Sequence, residues 1–180
     1  MKRVAIVVGP DYEDSEFQQP YDFLKENGCT VDVIGTEKGQ KLEGKRRRSR
    51  TQSSHGVAEV RPEDYDALVI PGGYAPDKLR LNKNMVGFVR QIFQMGKPVF
   101  AICHAGQLLI EADVVRGRTL TAWPSIWTDL RNAGATVVDE PLVKDDNLYT
   151  SRRPADLPPF LRALGEALGL VVREETSVRK

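Results

Sequence analysis

The sequence predicts an α/β fold on a mostly parallel, doubly wound sheet. Apolar runs without alternation are separated by segments of helical period, and an early strand–helix–strand unit implies a right-handed parallel crossover. A cysteine also stands where one buried strand turns into a helix. Arg3 to Val8 is a β-branched strand, and Ser15 to Asn27 a helix with Phe17, Tyr21 and Leu24 on one face and Gly28 as its stop. Val31 to Ile34 completes the first unit, with Cys29 at its start as packing. Ala67 to Ile70 is a buried strand ended by PGG, and Met85 to Met95 a helix closed by Gly96. Val99 to Ile102 is a strand covered on both faces, followed from His104 by helical spacing of Leu108, Leu109 and Ala112. Beyond it, Arg118 to Ala122 reads as a short strand and Ser125 to Asn132 as a helix capped by Gly134. Thr136 to Asp139, Leu142 to Val143 and Leu148 to Ser151 read as short strands, and Leu157 to Leu170 as the last helix. Residues 1–172 are read as one domain and 173–180 as a polar tail.

Composition narrows the function. The 180 residues are 41% hydrophobic and 28% charged, with a formal net charge of +1, so no global field recommends nucleic acid or an anionic membrane. No apolar run approaches the ~20 residues of a membrane span. The start, MKRVAIVVGPDYEDSE, turns acidic without a small-residue cleavage site, and a cytoplasmic protein is expected. Two distant cysteines, Cys29 and Cys103, without a CxxC suggest neither a disulfide framework nor a zinc site.

Three strand ends carry the chemistry. The first strand runs into GPDYEDSEFQQP, the strand at Ala67 into PGGYAPD, and the strand at Val99 into Cys103 and His104. In a doubly wound sheet such ends converge on a ligand crevice. At a tight strand-to-helix turn Cys103 faces unpaired helix N–H groups, which favour the thiolate; a buried, inert cysteine is the alternative.

The segments AICHAGQLLIEADVVRGRTLTAWPSI, LVIPGGYAPDKLR and NAGATVVDEPLVKDDNLYTSRRPADLPPFLRAL resemble the DJ-1/PfpI family, in its peptidase C56-type, intracellular protease I-like branch. The resemblance runs from Lys2 to about Leu170. It implies a flavodoxin-like three-layer sandwich of the class I glutamine amidotransferase type with a nucleophile elbow. The implied assembly is a homodimer or a larger ring of dimers, and no metal or redox cofactor is implied.

By motif, the resemblance implies Cys103 as nucleophile, followed by His104, and Glu16 as the acid beside the thiol because of its distance before Pro20, with Glu13 as second candidate. It places the oxyanion hole at the N–H groups of Gly73 and His104, and the acid of an intersubunit Cys-His-acid triad at Asp77, where some relatives have glutamate. Tyr74 and the aromatics Trp123 and Trp127 are candidates for the pocket wall or an interface. Two departures stand out: CHAGQ replaces the commoner CHGPQ, and GKRRRSRTQSSHGVAEV is more basic than in relatives. That basic stretch reads as a solvated loop or edge-strand protection, with His55 exposed and specific nucleic-acid binding not expected.

Three functions follow from the resemblance and the residues. The first is glyoxalase III or deglycase-like chemistry on methylglyoxal, glyoxal or early adducts, with Glu16 and Cys103 titrating as a coupled pair. The second is an intracellular cysteine peptidase, which requires the elbow to turn His104 towards the thiol although successive helical residues diverge. The third is a redox sensor or chaperone-like protein with an oxidisable Cys103. An amidotransferase triad is excluded because no histidine follows His104, and no helix-turn-helix is appended for a transcription regulator.

Overall fold

A computed structural model describes residues 1–170; the tail expected at 173–180 and the end of the 1–172 domain lie outside them. The strands are β1 (Arg3–Val7), β2 (Thr30–Gly35), β3 (Lys41–Glu43), β4 (Arg50–Gln52), β5 (His55–Gly56), β6 (Ala67–Ile70), β7 (Val99–Ile102), β8 (Thr119–Leu120), β9 (Thr136–Val137), β10 (Val143–Asp145) and β11 (Leu148–Ser151). The helices are α1 (Asp14–Glu26), α2 (Ala75–Leu79), α3 (Lys83–Gln94), α4 (Gly106–Glu111), α5 (Trp127–Asn132) and α6 (Leu157–Ala167). Seven strands form the central sheet in the order β10-β11-β7-β6-β1-β2-β5, parallel except for the antiparallel β10–β11 edge. This is the mostly parallel, flavodoxin-like α/β fold that the sequence predicts.

Register explains why three distant loops meet. Ile6 pairs with Val69, and Val69 with Phe100, so β1, β6 and β7 end level with one another. The chain builds β2 and β5 on one side of β1 and returns to lay β6 on the other, so strand order reverses at β1/β6. The ligand crevice of a doubly wound sheet lies beyond such a reversal. The β6 and β7 residues are buried throughout, as helices on both faces require. Behind the elbow, Phe100 stacks on Tyr149 with centroids 4.2 Å apart and meets Phe160 edge-on.

Several expected elements shift. The helix expected from Met85 begins at Lys83, because the Asn82 side chain accepts a hydrogen bond from Met85 N at 3.0 Å and caps it. The strands expected at Arg118 to Ala122 and Thr136 to Asp139 shrink to β8 and β9, which pair only with each other outside the main sheet. The expected Ser125–Asn132 helix opens as a 3-10 turn over Pro124–Ile126 before α5. Beyond the expected elements are the short α2 and the β3–β4 ribbon. In the basic stretch Arg46, Arg47, Arg48 and Arg50 are exposed, as a solvated charge run requires, while the backbone of the loop joining the ribbon is fixed by the first turn of α1. His55 is half-buried at the sheet edge, bonded to Ser54, rather than exposed.

Candidate active site

Cys103 occupies the turn between β7 and a 3-10 segment, Cys103–Ala105, that leads into α4. Its φ of 63° lies in the left-handed region, unusual for a residue with a side chain. That bend meets the condition set for His104: Nδ1 of the imidazole stands 3.3 Å from Cys103 Sγ, although the residues are adjacent. His104 Nε2 meets Ser125 Oγ at 3.2 Å. Burial, and then the charge of Lys45, lower the His104 pKa and favour the neutral ring.

The β6 loop supplies backbone donors. The N–H groups of Gly73 and His104 both face the Cys103 sulfur, on the atoms expected for an oxyanion hole. Gly73 has φ +80°, and a Cβ there would lie 2.6 Å from the Asp11 carbonyl oxygen. At Gly72 the constraint is closeness: a Cβ would come within 2.6 Å of Glu16 Oε1 and 2.8 Å of Cys103 Cβ. Gly72 N–H donates to Glu16 Oε1 at 2.8 Å.

Glu16 is fully buried in the first turn of α1, and its Oε2 has no oxygen or nitrogen partner among the described residues. Burial pushes its pKa up to about 8, against the Gly72 hydrogen bond, and the Cys103 thiol is a further hydrogen-bond neighbour. Cys103 is 6% exposed, and burial, reinforced by the Glu16 charge, pushes its pKa up to about 12. This corrects the expectation of a thiolate favoured by the helix start. The 3-10 turn and α4 are too short to align many peptide dipoles, and burial outweighs the donors they present. At neutral pH Glu16 holds a proton beside the sulfur.

A cleft of about 370 Å³, lined by Asp11, Gly73, Tyr74, Asp77, Lys78, His104 and Gln107, opens beside the Gly73 and His104 donors. Asp77 borders the cleft but makes no hydrogen bond with His104 among the described residues. Tyr74 is 61% exposed on the rim, and Trp123, 37% exposed, stands beside the His104 ring and donates its backbone N–H to the Cys103 carbonyl. Trp127 is turned away and donates its indole N–H to Ala122 O at 2.7 Å. Glu13, the second acid candidate, pairs with Lys45 at 2.8 Å and Arg46 at 3.1 Å rather than with the thiol. A groove of about 410 Å³ beyond Glu13 is lined by neither Gly73 nor His104, both of which line the smaller cleft.

Sequence reasoning missed Gly72, Ser125 and Lys45. Gly72 was visible only as half of PGG, Ser125 lay hidden between two tryptophans, and Lys45 was one charge in a basic run.

The described residues contain no helix long and apolar enough to cross a membrane. Protein/nucleic acid deglycase 2 of Escherichia coli (strain K12) is 44% identical over 93% of this chain and 98% of its own length. General stress protein 18 of Bacillus subtilis (strain 168) is 43% identical over 94% and 98% of the two chains. The crystal structure of an Anabaena variabilis two-domain protein, with DJ-1/ThiJ/PfpI-like and ferritin-like domains, superposes with a TM-score of 0.93 at 45% identity. The match covers 94% of this chain and 49% of that one, about half its length. Drosophila melanogaster DJ-1beta superposes with a TM-score of 0.85 at 29% identity, over 93% and 90% of the two chains. The family model described as DJ-1/PfpI matches residues 2–167, and the chain belongs to the DJ-1/PfpI family.

Proposed function

We propose that this protein is a cofactor-independent cysteine enzyme of glyoxalase III or deglycase type, acting on methylglyoxal, glyoxal or their early protein adducts. The observation that carries the reading is the meeting of one thiol, one buried high-pKa carboxyl and two backbone N–H donors beside a small cleft. The similarity to a named deglycase supports it. Cys103 Sγ adds to the aldehyde carbon of methylglyoxal, and the thiol proton ends on the former carbonyl oxygen, giving a hemithioacetal. The Gly73 and His104 N–H groups stabilise the oxygen as negative charge develops. Glu16, as carboxylate, removes the hydrogen of that carbon as a proton, and the C–H electron pair passes into an enediol. Return of the proton to the neighbouring carbon leaves a thioester and a secondary alcohol: one carbon is oxidised, the other reduced, and no outside oxidant is needed. Water cleaves the thioester to lactate and restores the thiol.

Peptidase activity is the second reading, and the Sγ–Nδ1 distance of 3.3 Å is the observation in its favour. It requires an acid on Nε2; within the chain that position is taken by Ser125, so Asp77 would have to act from a neighbouring subunit of a homodimer or ring. The deciding experiment measures lactate formed from methylglyoxal without glutathione, in wild type, Cys103→Ala and Glu16→Gln, beside a fluorogenic peptide. Lactate lost in both variants, with no peptide cleavage, is the expected result. Peptide cleavage dependent on Cys103 and His104, without lactate, would replace this reading with the peptidase. Silence in both assays would leave the oxidisable thiol as the functional feature.

A further inference from the structure

Most side chains that border the cleft are already engaged. Lys78 Nζ donates to the Asp11 carboxylate at 2.7 Å, and the His104 ring meets Cys103 Sγ at 3.3 Å and Ser125 Oγ at 3.2 Å. Tyr74 stands exposed on the rim, with Lys45 Nζ 5.4 Å from the centre of its ring. Asp77, as a carboxylate, offers only acceptors, which a carbonyl oxygen cannot use. Gln107 remains. It lines the cleft, takes part in no hydrogen bond among the described residues, and its Oε1 is buried.

The elbow aims this residue. Gln107 is the second residue of α4, three positions after His104, and residues three apart on such a turn share a face. Helical side chains lean towards the helix N-terminus, so Gln107 leans back over the turn that carries Cys103 and the His104 donor. A buried amide oxygen without a partner costs folding free energy. No described residue offsets that cost, which is the pattern of a group kept for a ligand.

We infer that Gln107 binds the second oxygen of a 1,2-dicarbonyl substrate and so selects dicarbonyls over simple aldehydes. The inference deepens the proposed function and rests on Cys103 adding to an aldehyde in this cleft. The first oxygen falls to the Gly73 and His104 N–H groups. The second starts as a ketone, which accepts a hydrogen bond, and becomes an enediol hydroxyl and then an alcohol, which also donate. An amide answers both states. Its NH2 donates to the ketone, and its Oε1 accepts from the hydroxyl once the soft, roughly two-fold terminal torsion turns. Neither a carboxylate nor an ammonium does both.

The test compares methylglyoxal with propanal, which has the same carbon skeleton without the second oxygen. Each aldehyde gives a reversible hemithioacetal: an S–C bond forms, the thiol proton passes to the carbonyl oxygen, and Cys103 is shielded from iodoacetamide. The full chain carries Cys29→Ser, so that one thiol reports, and Glu16→Gln, so that the adduct accumulates without turnover. Adding Gln107→Met is expected to raise the methylglyoxal concentration that halves alkylation by about fivefold, and that of propanal by less than about twofold. Its melting temperature is expected to equal or exceed that of the parent, since an apolar group of similar length replaces an unpaired acceptor. Methylglyoxal protection unchanged by Gln107→Met would overturn the inference, as would an equal loss with both aldehydes or no protection in the parent. A fall in melting temperature, or failure to fold, would overturn it too, by showing that the amide is paired within the fold. Gln107-dependent protection in a chain that makes no lactate with Glu16 intact would keep the inference and sink the turnover chemistry alone.

Discussion

Asp14 and Glu16 leave the same first turn of α1, both are carboxylic acids, and both are removed from water, yet the protein treats them in opposite ways. Burial pushes the Asp14 pKa up, but backbone N–H groups from Arg46, Arg48, Ser49 and its own residue outweigh it and leave the carboxyl below its ordinary value. Glu16 receives one backbone N–H, from Gly72, and burial prevails. Donor supply rather than depth decides which acid becomes a fixed anion and which keeps a transferable proton. The fixed anion orders the arm that carries Lys45, and the proton carrier faces the thiol.

The largest expected break in this comparison is Glu16→Gln, which keeps the shape of the group but cannot accept a proton. Lactate formation is expected to fall by about a thousandfold or more, while alkylation of Cys103 persists. The pH profile sharpens the point. The proton-moving step needs Glu16 as carboxylate, so activity should rise about tenfold per pH unit towards a plateau above pH 8, the value to which burial raises this acid. A flat profile from pH 6 to 9 would remove Glu16 from that step.

Next in size is Asp14→Asn. Asparagine retains an accepting oxygen but not the charge shared by the arm's N–H groups, and a loss of about 2–3 kcal/mol is expected in urea unfolding. Trypsin should then cleave at Lys45 to Arg48 faster than in wild type. Equal cleavage would mean that the arm is held by something other than Asp14.

The two acids should also give stability slopes of opposite sign in separate pH windows. The folded Glu16 pKa is raised from 4.5 to about 8, so its contribution is complete below about 4.5 and lost as pH rises to about 8. Asp14 is lowered from 3.8, so its contribution is present above that value and lost as pH falls through the depressed folded value. Melting temperatures across pH should show Glu16→Gln flattening the fall between about pH 4.5 and 8, and Asp14→Asn the fall on the acid side of 3.8. The smallest expected effect is Ser125→Ala, which frees His104 Nε2 and should change kcat for lactate formation by less than tenfold. A loss as deep as that of Cys103→Ala would return the imidazole to the centre of the chemistry.

The contrast also explains what was legible in the sequence. Strands β6 and β7 could be read residue for residue because burial on both faces leaves an unbroken apolar run, and the cysteine at the end of one marked the elbow. Glu16 needed a family pattern, since a first-turn acid ordinarily serves the helix dipole. The solvated charges of the arm were legible, but its backbone order was not, because that order comes from a carboxylate about thirty residues earlier in the chain, which no local pattern encodes. The thiol environment was misread for a related reason. A strand-to-helix junction announces N–H donors, but how deeply packing buries the sulfur is decided by the neighbouring loops.

The left-handed backbone of Cys103 sets folding against inheritance. A non-glycine residue in that conformation costs roughly 1–2 kcal/mol, and Cys103→Gly would relieve it while deleting the thiol. Backbone strain therefore favours drift towards glycine at this elbow in any lineage that no longer uses the sulfur. A copy that keeps cysteine here is held to it by something other than backbone ease, which makes this single codon a sensitive record of whether the chemistry is still in use.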